Sequence, residues 1–261
     1  MHSLAIPFVR EIEFEYGAVQ QVSPLIRRVV SNNPGPFTYK GTGVYIVGKR
    51  EIAVIDPGPD QPGQFDMLKA AIAGETVTHI FVTHRHLDHA PMARPLANLT
   101  GARIHASGIP AKIAAIAGPA VEEDADPSFR PDIPIEDGEG FSGPGWTLEA
   151  IYTPGHTSDH VCFALHEENA LFSGDHIMGW STTVIPPPDG DMDAYIASLE
   201  KIRDRDFKTL WPTHGPPINR AAHIHRRIDQ ASPRPRSPDH RALKSRSDAH
   251  PRHGARHVRR R

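Results

Sequence analysis

The sequence lacks the features of disulfide-stabilised and membrane-spanning proteins. Cysteine occurs once in 261 residues, at Cys162, so no internal disulfide can form. No run approaches the roughly 18 consecutive apolar residues of a membrane span, and the first residues lack the basic flank and apolar stretch of a signal peptide. We therefore expect a cytoplasmic protein with no membrane partner. Its single thiol lies in an apolar run and is expected to belong to the core.

Acidic and basic residues nearly balance overall but are unevenly distributed. The formal net charge is −2, yet residues 231–261 hold ten Lys and Arg against two Asp, which leaves −10 for residues 1–230. The same tail has no Phe, Tyr or Trp and is rich in Ser, Pro, Arg and His. It cannot bury enough apolar surface to offset the entropy cost of ordering. We predict one domain over residues 1–230 and a basic, disordered tail over residues 231–261.

Hydrophobic patterning within the predicted domain indicates alternating strands and helices. Strands are expected at 44–47, 52–55, 78–82, 103–106, 147–152, 161–165, 170–172 and 208–211, and helices at 65–73, 90–99 and 191–203. The pattern weakens over residues 110–144, which predicts a surface insertion, and a polar helix is expected around His223 and His225. Two runs of strands with interleaved helices predict an α/β fold in which two sheets pack face to face with helices outside.

The densest chemical signal is residues 83–89, where the pattern His-x-His-x-Asp-His directly follows a predicted strand. Residues two apart in an extended chain face the same side, so His84 and His86 can reach one ion. Asp88 and His89 can turn toward a second ion as the chain enters the next helix. Neutral imidazole and carboxylate are ligands that Zn²⁺ accepts. A solvated polar loop is the alternative interpretation of this motif alone.

Three further motifs each offer one ligand after a strand-like run. They place His156 in TPGHT, Asp175 in FSGDH and His214 in WPTHGP. Glycines beside these residues allow tight turns that bring side chains together from separate strand ends. One Gly-His or Gly-Asp turn is a weak signal, because such a turn is usually only a turn. Four motifs in order, each at a strand end, together predict a metal site.

Five segments resemble, in order, the motifs of the metallo-β-lactamase superfamily across residues about 40 to 220: IDPG with Asp56, THRHLDH, TPGHT, FSGD and THGP. TPGHTSDH, LFSGDHIMGWSTTV and THGPPI are most similar to the beta-lactamase-like protein 2 group of metallo-hydrolases. The resemblance implies a four-layer αββα sandwich, two mixed β-sheets flanked by helices, with metals at one edge. It implies one ion held by His84, His86 and His156, a second by Asp88, His89 and His214, and Asp175 bridging them.

The resemblance also implies roles beyond the ligands. Two Zn²⁺ ions are expected, with Mn or Fe as alternatives. Ions about 3.5–4 Å apart can hold a hydroxide between them and polarise a carbonyl or phosphoryl oxygen, so no protein nucleophile is needed. Asp88 is the expected catalytic residue, which orients the hydroxide and carries a proton to the leaving group. Asp56 is expected to support the histidine loop from behind.

The remaining histidines are not expected to bind metal. His160 and His176 are expected to line the pocket or to pack behind the ligands. His79 is predicted in or near the core, and His105 and His166 are predicted to lie at the surface near strand ends.

The substrate stays open at the level of sequence. Asp175 stands where true metallo-β-lactamases carry cysteine or serine, and it resembles the bridging carboxylate of glyoxalase II and ribonuclease branches. We expect hydrolysis of an ester, thioester or phosphodiester, with a small molecule or single-stranded RNA as substrate. Alternatives are a single-strand endoribonuclease of the beta-lactamase-like protein 2 type, a glyoxalase II-like thioesterase, a true β-lactamase, and a non-catalytic nucleic-acid adaptor.

The charge of residues 1–230 and the composition of the tail bear on these alternatives. The −10 of residues 1–230 opposes polyanion binding, and the seven filled ligand positions argue against an adaptor. The tail is interpreted either as a basic nucleic-acid-binding appendage or as the out-of-frame product of a shifted reading frame.

We predict that a chain ending at Gln230 keeps the thermal midpoint of the full chain, because the tail offers almost no apolar surface to bury. Differential scanning calorimetry of both chains measures this. A loss of about 1 kcal/mol would lower the midpoint by about 2–4 °C, and a fall of that size would show that the tail packs on the domain.

Overall fold

Thirteen strands form two β-sheets in the computed structural model, which describes residues 8–110 and 124–219. The first sheet has seven strands, which lie in the sheet in chain order. They are β1 (Gln20–Gln21), β2 (Ile26–Val30), β3 (Gly43–Lys49), β4 (Glu51–Ile55), β5 (Thr76–Phe81), β6 (Arg103–Ser107) and β7 (Ile133–Ile135). Neighbours from β1 to β4 pair antiparallel, and neighbours from β4 to β7 pair parallel.

The second sheet has six strands, again in chain order. They are β8 (Gly140–Gly143), β9 (Trp146–Tyr152), β10 (Val161–Leu165), β11 (Ala170–Gly174), β12 (Thr209–Pro212) and β13 (Ile218–Asn219). All neighbours pair antiparallel except β11 and β12, which pair parallel. Both sheets are therefore mixed.

Three helices cover the outer faces of the sheets in the described ranges. The helices α1 (Gln64–Ala71) and α2 (Ala93–Thr100) pack on the first sheet, and α3 (Met192–Arg203) packs on the second. The Asp191 side chain caps α3 by accepting a hydrogen bond from the Ala194 N–H at 3.0 Å. The α2 helix ends at Gly101, whose φ of 78° suits glycine. None of these helices is both long and apolar enough to cross a membrane.

Alternation along the strands builds three apolar layers. On β3, Val44 and Ile46 face the helices α1 and α2, whereas Tyr45 and Val47 face the other sheet. On β10, Phe163 faces the first sheet, and the buried Cys162 faces α3. Helices, sheet, sheet and helix thus form four layers, which confirms the predicted αββα sandwich.

Several local predictions need correction. The region 110–144 was expected to be an irregular insertion, but its described part contains β7 and β8. His105 was expected at the surface, yet it is only 5% exposed, because its strand side chain turns inward between Phe81 and Phe141. Strand β2 and the short β1 and β13 were not predicted. The tail predicted over residues 231–261 and the helix around His223 and His225 lie outside the described residues.

Candidate metal centre

The seven candidate ligands and the supporting Asp56 come together where strands of both sheets end. Asp56 follows β4, the segment 83–89 follows β5, and His156 lies four residues after β9. Asp175 follows β11 and His214 lies two residues after β12. The pairs β4–β5 and β11–β12 are parallel, so their carboxyl ends meet at one edge. The two sheets are tied there because the Gly43 N–H donates to the Thr213 carbonyl at 2.8 Å.

One group of ligand atoms consists of three histidine nitrogens. His84 Nε2 lies 3.0 Å from His86 Nδ1, which lies 3.3 Å from His156 Nε2. All three side chains are buried. Three imidazoles with converging nitrogens form one side of a tetrahedral divalent-metal site and leave a position open.

A second group combines a carboxylate with two histidines. Asp88 Oδ2 lies 3.0 Å from His214 Nε2 and 3.3 Å from His89 Nε2. Asp175 lies between the two groups, with Oδ1 3.6 Å from His89 Nε2 and Oδ2 3.9 Å from His156 Nε2. The geometry thus offers two neighbouring sites with a carboxylate between them.

The hydrogen bonds of these rings leave their inner atoms available. His156 Nδ1–H donates to the Val184 carbonyl at 2.6 Å, and His89 Nδ1–H donates to Asp56 Oδ2 at 2.9 Å. Fixing one ring nitrogen directs the other inward. By contrast, His89 Nε2 and Asp175 Oδ1 are buried without a hydrogen-bond partner. Orphaned imidazole and carboxylate atoms fit a divalent metal ion, which would satisfy both.

Electrostatics divide the two groups. Burial, reinforced by the neighbouring imidazoles, lowers the pKa of His84 and His86 well below the usual value, so both rings are neutral and can ligate. Burial also disfavours charge on His214, but the adjacent Asp175 and Asp88 carboxylates outweigh it and raise the pKa of His214 to about 10. A metal ion bound in the second group must displace such protons, so its affinity rises with pH.

Asp56 connects the ligand loops without facing the ions. Its carboxylate accepts hydrogen bonds from the Thr83 N–H and hydroxyl, both at 2.8 Å, and from the Thr213 hydroxyl at 3.0 Å. With the bond from His89, it takes four donors from two loops. Its backbone φ is 48°, an uncommon value outside glycine that directs the side chain under the histidine loop.

The histidines expected near the pocket lie behind the ligands. His160 and His176 are buried, as the candidate ligands are, and a part in lining the pocket stays a prediction for both. His160 Nε2 accepts the Asp175 backbone N–H at 3.2 Å, and its Nδ1–H donates to the Thr153 hydroxyl at 2.9 Å. It therefore holds the turn that carries Asp175.

An ion pair that the sequence interpretation missed joins two ligand loops. Arg85, between His84 and His86, points away from the cluster and donates through Nε to Asp159 Oδ2 at 2.8 Å. Its guanidinium also donates to the Ile109 carbonyl. Both charged side chains are buried. The pair thereby fixes the loop of His84 and His86 to the loop of His156.

The four-layer sandwich and the buried cluster at its edge define an αββα protein with a candidate two-metal centre. The family model of the metallo-beta-lactamase superfamily matches residues 40–214, and the chain belongs to this superfamily.

Named relatives place the chain within the superfamily. It is 34% identical over 208 residues to the atrochrysone carboxyl ACP thioesterase of Cryptosporiopsis sp., covering 77% of this chain and 57% of that protein. It is also 34% identical over 206 residues to the beta-lactamase-like protein 2 homolog of Caenorhabditis elegans, covering 77% of this chain and 65% of that protein. The resemblance to the beta-lactamase-like protein 2 group is thus confirmed. Atrochrysone carboxyl ACP thioesterases are also among the relatives of this chain.

A solved structure shows the same fold at lower identity. The metallo-beta-lactamase family protein TTHA1429 of Thermus thermophilus aligns with a TM-score of 0.64 at 20% identity, covering 80% of each chain.

The two carboxylates of the cluster predict different metal stoichiometries. In Asp175→Ala the carboxylate between both groups is lost, so both ions should bind more weakly because their repulsion is no longer offset. Asp88→Ala should retain about one equivalent at the three-histidine group. Elemental analysis after dialysis measures the content, and Asp66→Ala, on an exposed helix face, is the matched control. Two retained equivalents in both variants would contradict the assignment.

The buried ion pair predicts a selective loss at the three-histidine group. Arg85→Met leaves Asp159 unpaired and frees the His156 loop, so we expect the metal affinity of that group to fall about 10–100-fold. Competition with a chromophoric chelator measures it, with the exposed Arg103→Met as control. Unchanged affinity, or an equal loss at both groups, would show that the pair does not position these ligands.

Proposed function

We propose that this chain is a Zn²⁺-dependent hydrolase with two metal ions that cleaves small carboxylic esters, thioesters first among them. The observation that carries the proposal is the arrangement of seven buried ligands in two groups, with Asp175 between them. Bound divalent ions would lower the pKa of water to near 7 and polarise the carbonyl of the substrate. The domain limits of 1–230 and a cytoplasmic location are part of the proposal.

Asp88 is the residue proposed to handle the proton. Its Oδ2 faces both His89 and His214 and accepts a hydrogen bond from the Thr42 hydroxyl at 3.3 Å. A carboxylate held in this position can orient an attacking water and pass its proton to the leaving group. Cys162 is unsuited to act as a nucleophile, since it is fully buried and burial raises the pKa of its thiol to about 12.

The surroundings of the cluster favour an acyl substrate over RNA. Val184, whose carbonyl accepts a hydrogen bond from the candidate ligand His156, is 38% exposed. An exposed apolar side chain beside a ligand suits an acyl chain. The −10 charge of residues 1–230 also repels a polyanion.

The comparisons support the same ranking. The thioesterase relative acts, by its name, on an acyl group carried by an acyl carrier protein. The chain spans 57% of the length of that relative, so the transfer of this activity is a proposal. RNA cleavage is the second candidate, supported by the resemblance to the beta-lactamase-like protein 2 group.

The substrate proposal predicts a ranked activity profile. The Zn²⁺-loaded chain should hydrolyse acyl thioesters and esters faster than the β-lactam nitrocefin or single-stranded RNA oligomers. Turnover at matched concentrations measures the ranking. Removing metal with a chelator should abolish thioester turnover and Zn²⁺ should restore it, with Mn²⁺ and Fe²⁺ as comparison ions. Asp88→Ala should lower kcat by about 10²–10⁴-fold. Preferential turnover of nitrocefin or RNA would overturn the ranking.

A further inference from the structure

A cavity separate from the metal centre lies behind the turn that carries His214. It has a volume of about 360 Å³ and lies between the N-terminal segment, β1, β2 and the end of β12. Arg28 and Trp211 line its inner part, Glu11 and Glu13 come from the N-terminal segment, and Pro216 lies on the His214 side. No residue of the candidate metal centre lines it.

Arg28 carries an unbalanced buried charge into this cavity. The residue is 4% exposed, and its Nη2 donates to Gln20 Oε1 at 2.8 Å. Its Nε and Nη1 are buried without a hydrogen-bond partner, and no ion pair to it is found in the described parts of the chain. Its neighbour on β2, Arg27, has a counter-charge and forms an ion pair with Glu75 at 2.6 Å. An unpaired buried guanidinium is costly unless a counter-charge reaches it.

The side chains around Arg28 do not supply that counter-charge. Tyr45, its register partner on β3, interacts with the guanidinium, but burial outweighs that charge and raises the pKa of the phenol to about 12, so Tyr45 is neutral. Its hydroxyl donates to the Pro212 carbonyl at 2.6 Å. Glu11 and Glu13 line the same cavity, but both are exposed to solvent and neither forms an ion pair with Arg28 in the described parts of the chain. The positive charge therefore faces the cavity.

Trp211 adds a second unsatisfied donor from the opposite sheet. It is 7% exposed, and its indole Nε1 is buried without a hydrogen-bond partner. Arg28 on β2 and Trp211 on β12 thus bring unpartnered N–H groups to one cavity. Unpartnered donors from both sheets, one of them a guanidinium, at the inner end of the cavity match the oxygen atoms of an anion.

We propose that this cavity binds a small oxyanion, with Arg28 supplying the charge and Trp211 an indole hydrogen bond. The shared chemistry is that of a phosphate, sulfate or carboxylate group on a small molecule. The site is independent of the proposed hydrolysis. It adjoins the metal centre through the backbone, since Arg28 packs beside Gly43, whose N–H binds the Thr213 carbonyl.

The three tryptophans allow the site to be tested directly. In the ¹⁵N-labelled full-length, metal-loaded chain, we would titrate sodium sulfate and, separately, sodium acetate while following the indole N–H resonances. Trp211→Phe assigns one resonance by its loss. The Trp211 resonance should shift and the shift should saturate. Tighter binding of sulfate would indicate a tetrahedral ligand, and tighter binding of acetate would indicate a planar one. Trp146 should not respond, because its indole already donates to the Glu51 carbonyl at 3.1 Å.

The Trp180 resonance separates this site from the metal centre. Trp180 packs against Gly215, next to the candidate ligand His214. An anion bound to the metal ions would shift the Trp180 resonance and leave that of Trp211 unchanged, and this outcome would overturn the proposal.

Matched variants on β2 provide the decisive comparison. Arg28→Met should weaken the saturable shift at least 10-fold, whereas Arg27→Met, on the opposite face of the strand, should keep it. If Arg28→Met fails to fold, Trp211→Phe keeps the charge of Arg28 and an aromatic ring but removes the indole donor, so the saturable rise of the thermal midpoint with sulfate should shrink. A linear response without saturation, or an equal response in wild type and both cavity variants, would exclude the site.

Discussion

The Asp56 carboxylate accepts hydrogen bonds from two loops that belong to different sheets. Thr83 and His89 approach it from the end of β5, and Thr213 approaches it from the end of β12. A buried carboxylate is stable only when its oxygens accept hydrogen bonds. Moving any of these donors away would leave the charge unsatisfied, so the donors are fixed in position. The sheet edges are therefore aligned through one side chain. The positions of His89 and His214 relative to each other follow from this alignment.

Burial then decides the chemistry of the aligned side chains. The edge of a sandwich is the one place where loops from both sheets meet, and here it is sealed enough to bury five histidines and two aspartates. Burial lowers the pKa of His84 and His86, whereas the Asp88 and Asp175 carboxylates raise the pKa of His89 and His214. Opposite charges thus compensate within the second group, and neutral His84 and His86 rings lie in the first. A pair of divalent ions fits this division, since the ion at the second group would displace the protons of His89 and His214 and take over the pairing with both carboxylates.

Features that depend on neighbouring residues were predicted from the sequence, whereas features that depend on residues far apart in the chain were not. Strand β10 was predicted with its observed bounds, because five consecutive apolar residues identify a buried strand without help from distant sequence. The ligand motifs were equally local. The Arg85–Asp159 pair joins residues 74 positions apart, and nothing near either residue announces the other. His105 was misplaced for the same reason, since its burial depends on Phe141 from the opposite sheet. Strand β2 was missed because Arg27 and Arg28 interrupt its apolar pattern.

Arg28, which interrupts the apolar pattern of β2, also distinguishes the two polar regions on either side of the turn that carries His214. On one side, carboxylates and imidazoles offer lone pairs to cations. On the other, Arg28 and Trp211 offer only N–H donors. Tyr45 and Trp211, with ring centroids 6.2 Å apart, lie in the apolar layer between the sheets, next to Arg28. Because charges are weakly screened there, an unpaired buried charge is stabilised by a counter-charge in its own cavity. Metal ions at the cluster and an anion at Arg28, as proposed, would place ligands of opposite sign on the two faces of one turn.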